Sequence, residues 1–169
     1  MAYNYDVIVV GGGASGCFAA IHAANSGLKV LILEKSNKSL SKVKISGGGR
    51  CNVTHDCLEV TELVKHYPRG GKKLTSAFKQ FSVQDTINWF QSRGVELKIE
   101  DDGRMFPISN NSQSIIDCLE NEMTKGGVSL TLGQEVQSFI KLDNGFKIIT
   151  RDKEYESHKL LISMGGHPK

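Results

Sequence analysis

No apolar run in the sequence is long enough to cross a bilayer. The longest near the start, Val7 to Val10, falls far short of the ~20 residues a spanning helix needs. Asp6 precedes it rather than a basic leader, so no secretion or anchoring signal is visible, and a cytoplasmic location without membrane partners is expected. The four cysteines (Cys17, Cys51, Cys57 and Cys118) show neither CxxC spacing nor the density of a disulfide framework, which suits a reducing compartment. The five histidines are dispersed, and no His-Glu-x-x-His or paired Cys/His arrangement gathers ligands, so no metal is expected. The 21 basic and 18 acidic residues leave a formal charge of +3 scattered along the chain, without the sustained basic stripe that nucleic-acid binding calls for. On that balance no nucleic-acid partner is expected, and the sequence does not set an oligomeric state.

What is present looks globular. Hydrophobic residues make up 39% and charged residues 23% of 169, enough for one core without disulfides or metal. Tyr5-Asp-Val-Ile-Val-Val10 is a β-branched, nearly unbroken apolar run, as in a strand covered on both faces of a parallel sheet, and should be its central strand. Ala14 to Ser26 has helical spacing with Gly27 just past its end, and Lys29 to Leu33 is a second buried run. Strand, turn, helix and strand thus fit a right-handed βαβ unit of about 30 residues.

Ser36 to Thr54 lacks periodicity and reads as a functional loop around Gly47-Gly48-Gly49. Ser82 with Asp85 three positions on reads as a capping box opening a helix that carries Ile87 and Phe90 and stops at Gly94. A second helix is expected from about Ser112 to Lys125, its stripe formed by Ile115, Ile116, Leu119 and Met123, with an irregular Glu100–Asn111 segment before it. The strand-like runs Val128–Leu132, Val136–Leu142, Phe146–Thr150 and Tyr155–Ser163, with a turn at Asp143-Asn144-Gly145, read as a β-meander. The chain ends at Gly165-Gly166-His167-Pro168-Lys169 without an obvious closing element.

Two constellations carry chemistry. Gly11-Gly12-Gly13-Ala14-Ser15-Gly16 matches G-x-G-x-x-G between a strand and a helix. Gly11 permits the tight turn, Gly13 the approach of a pyrophosphate and Gly16 close helix packing, while the helix's free N–H groups face the phosphate charge. Glu34, 23 positions after Gly11, stands where a carboxylate accepts hydrogen bonds from an adenosine ribose, favouring FAD or NAD over NADP. Lys35 is either a solvated charge or a contact at the adenosine end. The second is Lys42-Val-Lys-Ile-Ser46-Gly-Gly-Gly-Arg-Cys-Asn-Val-Thr54, whose bared backbone N–H groups and Arg50 make an anion-binding concavity. It could face the cofactor's phosphates, face the pyrimidine end of a flavin, or be a surface loop, and physics alone does not choose.

Ser46 to Thr54, following the dinucleotide fingerprint and Glu34-Lys35, resembles the BaiN-like (YhiN-like) family of FAD-dependent oxidoreductases, some members of which are described as aminoacetone oxidases. Asp102-Gly-Arg-Met-Phe-Pro107 and Leu161-Ile-Ser-Met-Gly-Gly166 resemble two further family elements, so the similarity spans the chain. The resemblance implies a Rossmann-like α/β domain that binds FAD through Gly11, Gly13, Ser15, Gly16 and Glu34, beside which Ala14, Lys35 and Lys42 are further cofactor-binding candidates. Gly48, Gly49, Arg50, Cys51 and Asn52 would then lie toward the flavin, Val136 against adenine, and Gly165 and Gly166 close to the cofactor. The chain departs from the family pattern at Leu40, where many members have glycine, and at Ser163-Met164, where alanine and threonine are usual.

Related proteins are longer, which implies that residues 1–169 are the amino-terminal part of the FAD domain, lacking a substrate domain and a closing segment. The expected activity of the whole is flavin-mediated hydride or electron transfer from a small reduced metabolite, such as an amine, with NAD(P)H a candidate electron donor. A non-catalytic FAD- or NAD-binding module and an inactive truncation product are the alternatives. Cys51 reads as cofactor packing or, with Cys57, as a redox partner. Arg104 and His55 read as surface residues or substrate contacts, and Trp89 and Phe90 as helix packing.

Overall fold

The elements of the computed structural model, described for residues 4–166, follow in chain order. They are β1 (Tyr5–Val10), α1 (Ala14–Asn25), β2 (Val30–Leu33), α2 (Ser41–Gly49), β3 (Thr54–His55) and α3 (Val60–Leu63), which runs into a 3-10 turn at Val64–His66. Then come α4 (Gly71–Gln80), α5 (Val83–Gln91), β4 (Leu97–Ile99), β5 (Arg104–Pro107), α6 (Gln113–Lys125), β6 (Ser129–Thr131), β7 (Val136–Leu142), β8 (Gly145–Thr150) and β9 (Glu154–Ile162). The reading of His167 to Lys169 lies outside the described residues. The chain forms two compact units, one from the segment up to Val43 together with Leu119 onward, the other from Lys44–Cys118.

The first unit is built on a six-stranded sheet in the order β6-β2-β1-β9-β8-β7. β1 is internal because its residues are apolar on both faces, and it pairs in parallel with β2 and with β9. Ile8, Leu31, Leu33 and Ile148 form a buried cluster on one face, extended by Tyr5, Val136, Phe146, Tyr155 and Leu160. Val9 turns toward α1, whose Cys17, Ala20 and Ile21 are fully buried. Each fully buried aliphatic side chain contributes about 1.5–3 kcal/mol. This Rossmann-like α/β arrangement, with a mostly parallel sheet, is the fold class the sequence implied. The meander, however, comprises only β7, β8 and β9. β6 leaves it to pair in parallel with β2, and β9 closes it by joining β1, long-range pairings that local patterning does not encode.

The second unit carries a three-stranded antiparallel sheet, β3-β5-β4. β5 occupies the segment read as irregular: with four residues against partners of two and three, it is too short to show a period, yet Met105, Phe106 and Pro107 are buried. The capping box of α5 forms as read. The Ser82 hydroxyl accepts from the Asp85 backbone N–H at 3.1 Å, and the Ser82 N–H donates to the Asp85 carboxylate at 2.8 Å. Trp89 and Phe90 pack edge to face, 4.9 Å between ring centroids. The segment read as a loop starts instead as helix α2, which breaks at Ser46, Gly47 and Gly48.

Candidate functional site

At the carboxyl end of β1 the backbone turns so tightly that side chains are excluded. A Cβ on Gly16 would stand 2.0 Å from the Gly11 carbonyl oxygen, and one on Gly11 would stand 2.6 Å from that of Ser163. Gly13 is different: nothing lies within 4 Å of where its Cβ would be. It is also the residue before α1, and no side chain caps the helix there. The first-turn residues Ala14 and Ser15 are exposed and no acidic residue sits among them, so the positive helix end and its N–H groups face open space.

Glu34, at the end of β2, turns its carboxylate back onto this bend. It accepts from the Gly12 N–H at 2.7 Å and from the Ser36 N–H and hydroxyl at 2.9 and 2.7 Å. Burial works to raise its pKa, but those hydrogen bonds and the neighbouring Lys35 charge together hold it below the ordinary carboxylate range. The acid is therefore ionised at neutral pH and remains an acceptor. Gly12 and Ser36 are the partners that sequence reasoning missed; the only available signal was their nearness to the motif and to Glu34.

The other first-unit candidates gather around the same bend. The Gly133 N–H donates to Ser36 O and the Gln134 N–H to Glu34 O, holding the approach to Val136 beside Glu34. The Ser163 hydroxyl lies 3.0 and 3.1 Å from the Val10 and Gly11 carbonyl oxygens, which brings the Gly165-Gly166 turn to the bend. Lys42 donates to Gly166 O at 3.3 Å, while the Leu40 N–H ties the start of that segment to Gly12 O at 2.8 Å. Lys35 is exposed, and it acts on the others through the effect of its charge on Glu34.

The second-unit candidates form a separate structure. Gly47, Gly48 and Gly49 all have positive φ, a run that only glycine adopts readily, and the Cys51 N–H closes it by donating to Ser46 O at 3.0 Å. Nothing lies within 4 Å of a Cβ built on Gly48, whereas one on Gly47 would meet Asn52 N and the Phe106 ring at 2.8 Å. Arg50, read as an anion-binding charge, is ion-paired with Glu100 and stacked 4.0 Å over the Phe106 ring. Its charge is thus already met by a carboxylate. Asn52 is oriented so that its amide nitrogen reaches the carbonyls of Thr54 at 2.8 Å and Met105 at 3.2 Å, bracing β3 against β5. Burial pushes the Cys51 thiol pKa up, Cys57 is a free thiol, and the pair forms no disulfide, an arrangement that favours packing over redox exchange. Arg104 pairs with Asp102 at 2.6 Å, and His55 stacks on His66 with centroids 4.9 Å apart.

Residues 5–168 match the HI0933-like protein Rossmann domain. The chain belongs to that family. This is the family that the Ser46–Thr54 signature resembled. Two relatives are named ribosomal RNA dihydrouridine synthase: one from Escherichia coli K12, 32% identical over 96% of this chain and 40% of its own length, the other from Haemophilus influenzae, 27% identical over 98% and 41%. The chain spans about two fifths of these relatives.

Among solved structures, the Rhodococcus jostii RHA1 3-ketosteroid-Δ4-(5α)-dehydrogenase superposes with a TM-score of 0.68 at 17% identity, over 96% of this chain and 46% of that one. The Gloeobacter violaceus thioredoxin reductase superposes with a TM-score of 0.52 at 18% identity, over 99% and 36%. These likenesses show the Rossmann-like α/β fold.

Within the HI0933-like domain the departure at Leu40 now has a backbone meaning. Leu40 has φ +54° and is only 1% exposed, so the position needs left-handed backbone, which glycine adopts freely, and this chain keeps a buried leucine there. Among the described residues no group of three or more His, Cys, Asp or Glu could hold a metal, and no helix is long and apolar enough to cross a membrane.

Proposed function

We propose that this HI0933-like domain holds the ADP half of FAD at the Gly11–Gly16 bend and Glu34, within a flavoprotein oxidoreductase. One observation carries this reading: the open space at Gly13 beside an uncapped helix start, with the ionised Glu34 fixed beside the same bend. A diphosphate fits a cradle that any Cβ would fill, and the Ala14 and Ser15 N–H groups would receive its charge. Glu34 would accept from the ribose hydroxyls with the oxygen capacity left beside Gly12 and Ser36. Lys42, Gly165 and Gly166 would border the cofactor, and Val136 would meet the adenine edge. When bound, FAD supplies hydride transfer.

For the substrate, the names of the two relatives support a uridine in ribosomal RNA. A hydride and a proton would add across the C5–C6 double bond of uracil, with NAD(P)H as the electron source. The residues that touch the pyrimidine would come from the part of such proteins that this stretch does not match.

Gly13→Val tests the cradle. The purified variant should keep the far-UV circular dichroism and thermal midpoint of the parent, because no protein atom opposes the new side chain, while FAD titration shows affinity at least about tenfold lower, the loss of about 1.4 kcal/mol. Unchanged FAD affinity would discard the assigned geometry. Cells carrying the same substitution in the gene should lose dihydrouridine from their ribosomal RNA by mass spectrometry. Intact ribosomal dihydrouridine, with lost oxidation of a small amine, would point to the metabolite substrate instead.

A further inference from the structure

Charge that looks scattered over the whole chain is concentrated in one place. Between Leu63 and Gln84 there are five lysine or arginine residues and no aspartate or glutamate. Lys65 is paired with Glu62, but Arg69, Lys72, Lys73 and Lys79 are exposed and enter no ion pair among the described residues. α4 orders them. Lys72, Ser76 and Lys79 recur at i, i+4 and i+7 along one exposed stripe, with Lys73 beside it, while Leu74 and Phe78 are half-buried and Gly71 is fully buried. Two lysines occupy the first turn, where the helix macrodipole disfavours cations, and no acidic residue relieves them. Fold stability alone would select against that placement. Tyr67, 43% exposed, packs its ring 5.5 Å from that of Phe78 on the half-buried side of α4 and leaves part of an aromatic surface open in the same segment.

We infer that this basic segment, with Lys72, Lys73 and Lys79 on α4, Arg69 just before it and the exposed Tyr67, docks RNA through its phosphate backbone. The inference rests on the ribosomal RNA reading above and locates a contact surface for it within this chain. Charge complementarity selects the occupant: unpaired cations along one helix match successive phosphates, and an exposed tyrosine offers a platform for an unstacked base. Affinity from such a face would be insensitive to sequence and steep in salt.

The test is fluorescence anisotropy of the full 169-residue chain with a short hairpin RNA of ribosomal sequence, between about 50 and 200 mM salt. The parent should bind with a negative slope of log affinity against log salt. The triple variant Arg69→Glu, Lys72→Glu, Lys79→Glu should bind at least about tenfold more weakly, with a slope smaller by about 2, since each lost phosphate contact removes about 0.7–0.9. Reversing Lys141, Lys153 and Lys159 makes the same change in net charge and should matter far less. Should the glutamate triple fail to fold by circular dichroism, the glutamine triple at the same positions reads the slope. Equal losses in both triples, an unchanged slope, or binding to phosphatidylserine vesicles without RNA binding would each overturn the assignment. If the helix variants lose RNA affinity while the gene's deletion leaves ribosomal dihydrouridine intact, the docking surface stands and the substrate reading falls. Unaltered RNA binding with dihydrouridine lost on deletion gives the converse.

Discussion

Leu40 and Cys51 show how single residues record a backbone demand that their own chemistry opposes. Both are buried and both lie in the left-handed region, at φ +54° and +62°. An L-residue there carries roughly 1–2 kcal/mol of strain that glycine escapes. In an ordinary helix or strand, glycine is the worse replacement by about 0.5–1 kcal/mol relative to alanine. At Leu40 the order should invert. Leu40→Ala loses the burial and keeps the strain, for a total cost of about 2–5 kcal/mol. Leu40→Gly loses the same burial and sheds the strain, so it should equal or exceed the alanine variant by up to about 1 kcal/mol. Urea unfolding of the two proteins checks this, and a glycine variant clearly less stable than the alanine one would show that residue 40 is not left-handed. The glycine bend and Glu34 were legible because their geometry lies in residue type and spacing. The pairing of Arg50 with Glu100 was not, because its two partners stand 50 residues apart and become neighbours only once β3, β4 and β5 have assembled.

At the scale of elements, what could be read in advance was what is locally encoded. β1, α1, β2, α5, α6 and the β7–β8 hairpin each carry a period, a cap or a turn in their own residues. The capping box of α5 is the clearest case, with hydroxyl, carboxylate and two backbone N–H groups satisfying one another. Ser82→Ala removes the acceptor for the Asp85 N–H and should cost about 0.5–2 kcal/mol, seen as a lower denaturant midpoint with unchanged m-value. A variant as stable as the parent would mean that the helix end is held by packing alone. Elements that passed unnoticed have no such signature. β4 and β5 are three and four residues long and exist because each supplies the other's hydrogen bonds. α4 begins with a glycine under two lysines and has few apolar positions to count. The basic run around it vanished when charge was summed over all 169 residues, although a window of that length would have exposed it. The parallel pairing of β9 with β1 joins residues about 150 positions apart and follows from sheet closure rather than from any local pattern.

For the molecule as a whole, the ionisable groups set a pH range of stability whose edges have opposite causes. Glu34 is held below the ordinary carboxylate range despite the opposing effect of burial. The Ser82 hydroxyl and N–H do the same for Asp85, and the backbone N–H and guanidinium of Arg104 for Asp102. A carboxylate whose folded pKa lies below its unfolded value stabilises the fold at all pH above the unfolded value, about 4, and loses that contribution as pH falls through the folded one. Lys147 runs the other way: Glu154 raises its pKa, so its contribution is complete below the unfolded lysine value and disappears as pH rises through the folded one. Urea midpoints should therefore hold level through neutral pH, decline below about pH 4, and decline again from about pH 9, where the unfolded Cys17 thiol ionises while burial pushes the folded one up to about 12. Added salt should shrink the acid decline and leave most of the alkaline one, because Asp85 and Asp102 lie at the surface, where screening is strong, whereas Cys17 is buried. Glu34 separates from the others through its ligand. Bound FAD would add hydrogen bonds to the ionised form, lowering its folded pKa further and moving the acid decline to lower pH in flavin-saturated protein. An acid limb that does not move when FAD is added would mean that Glu34 is not the carboxylate the nucleotide meets.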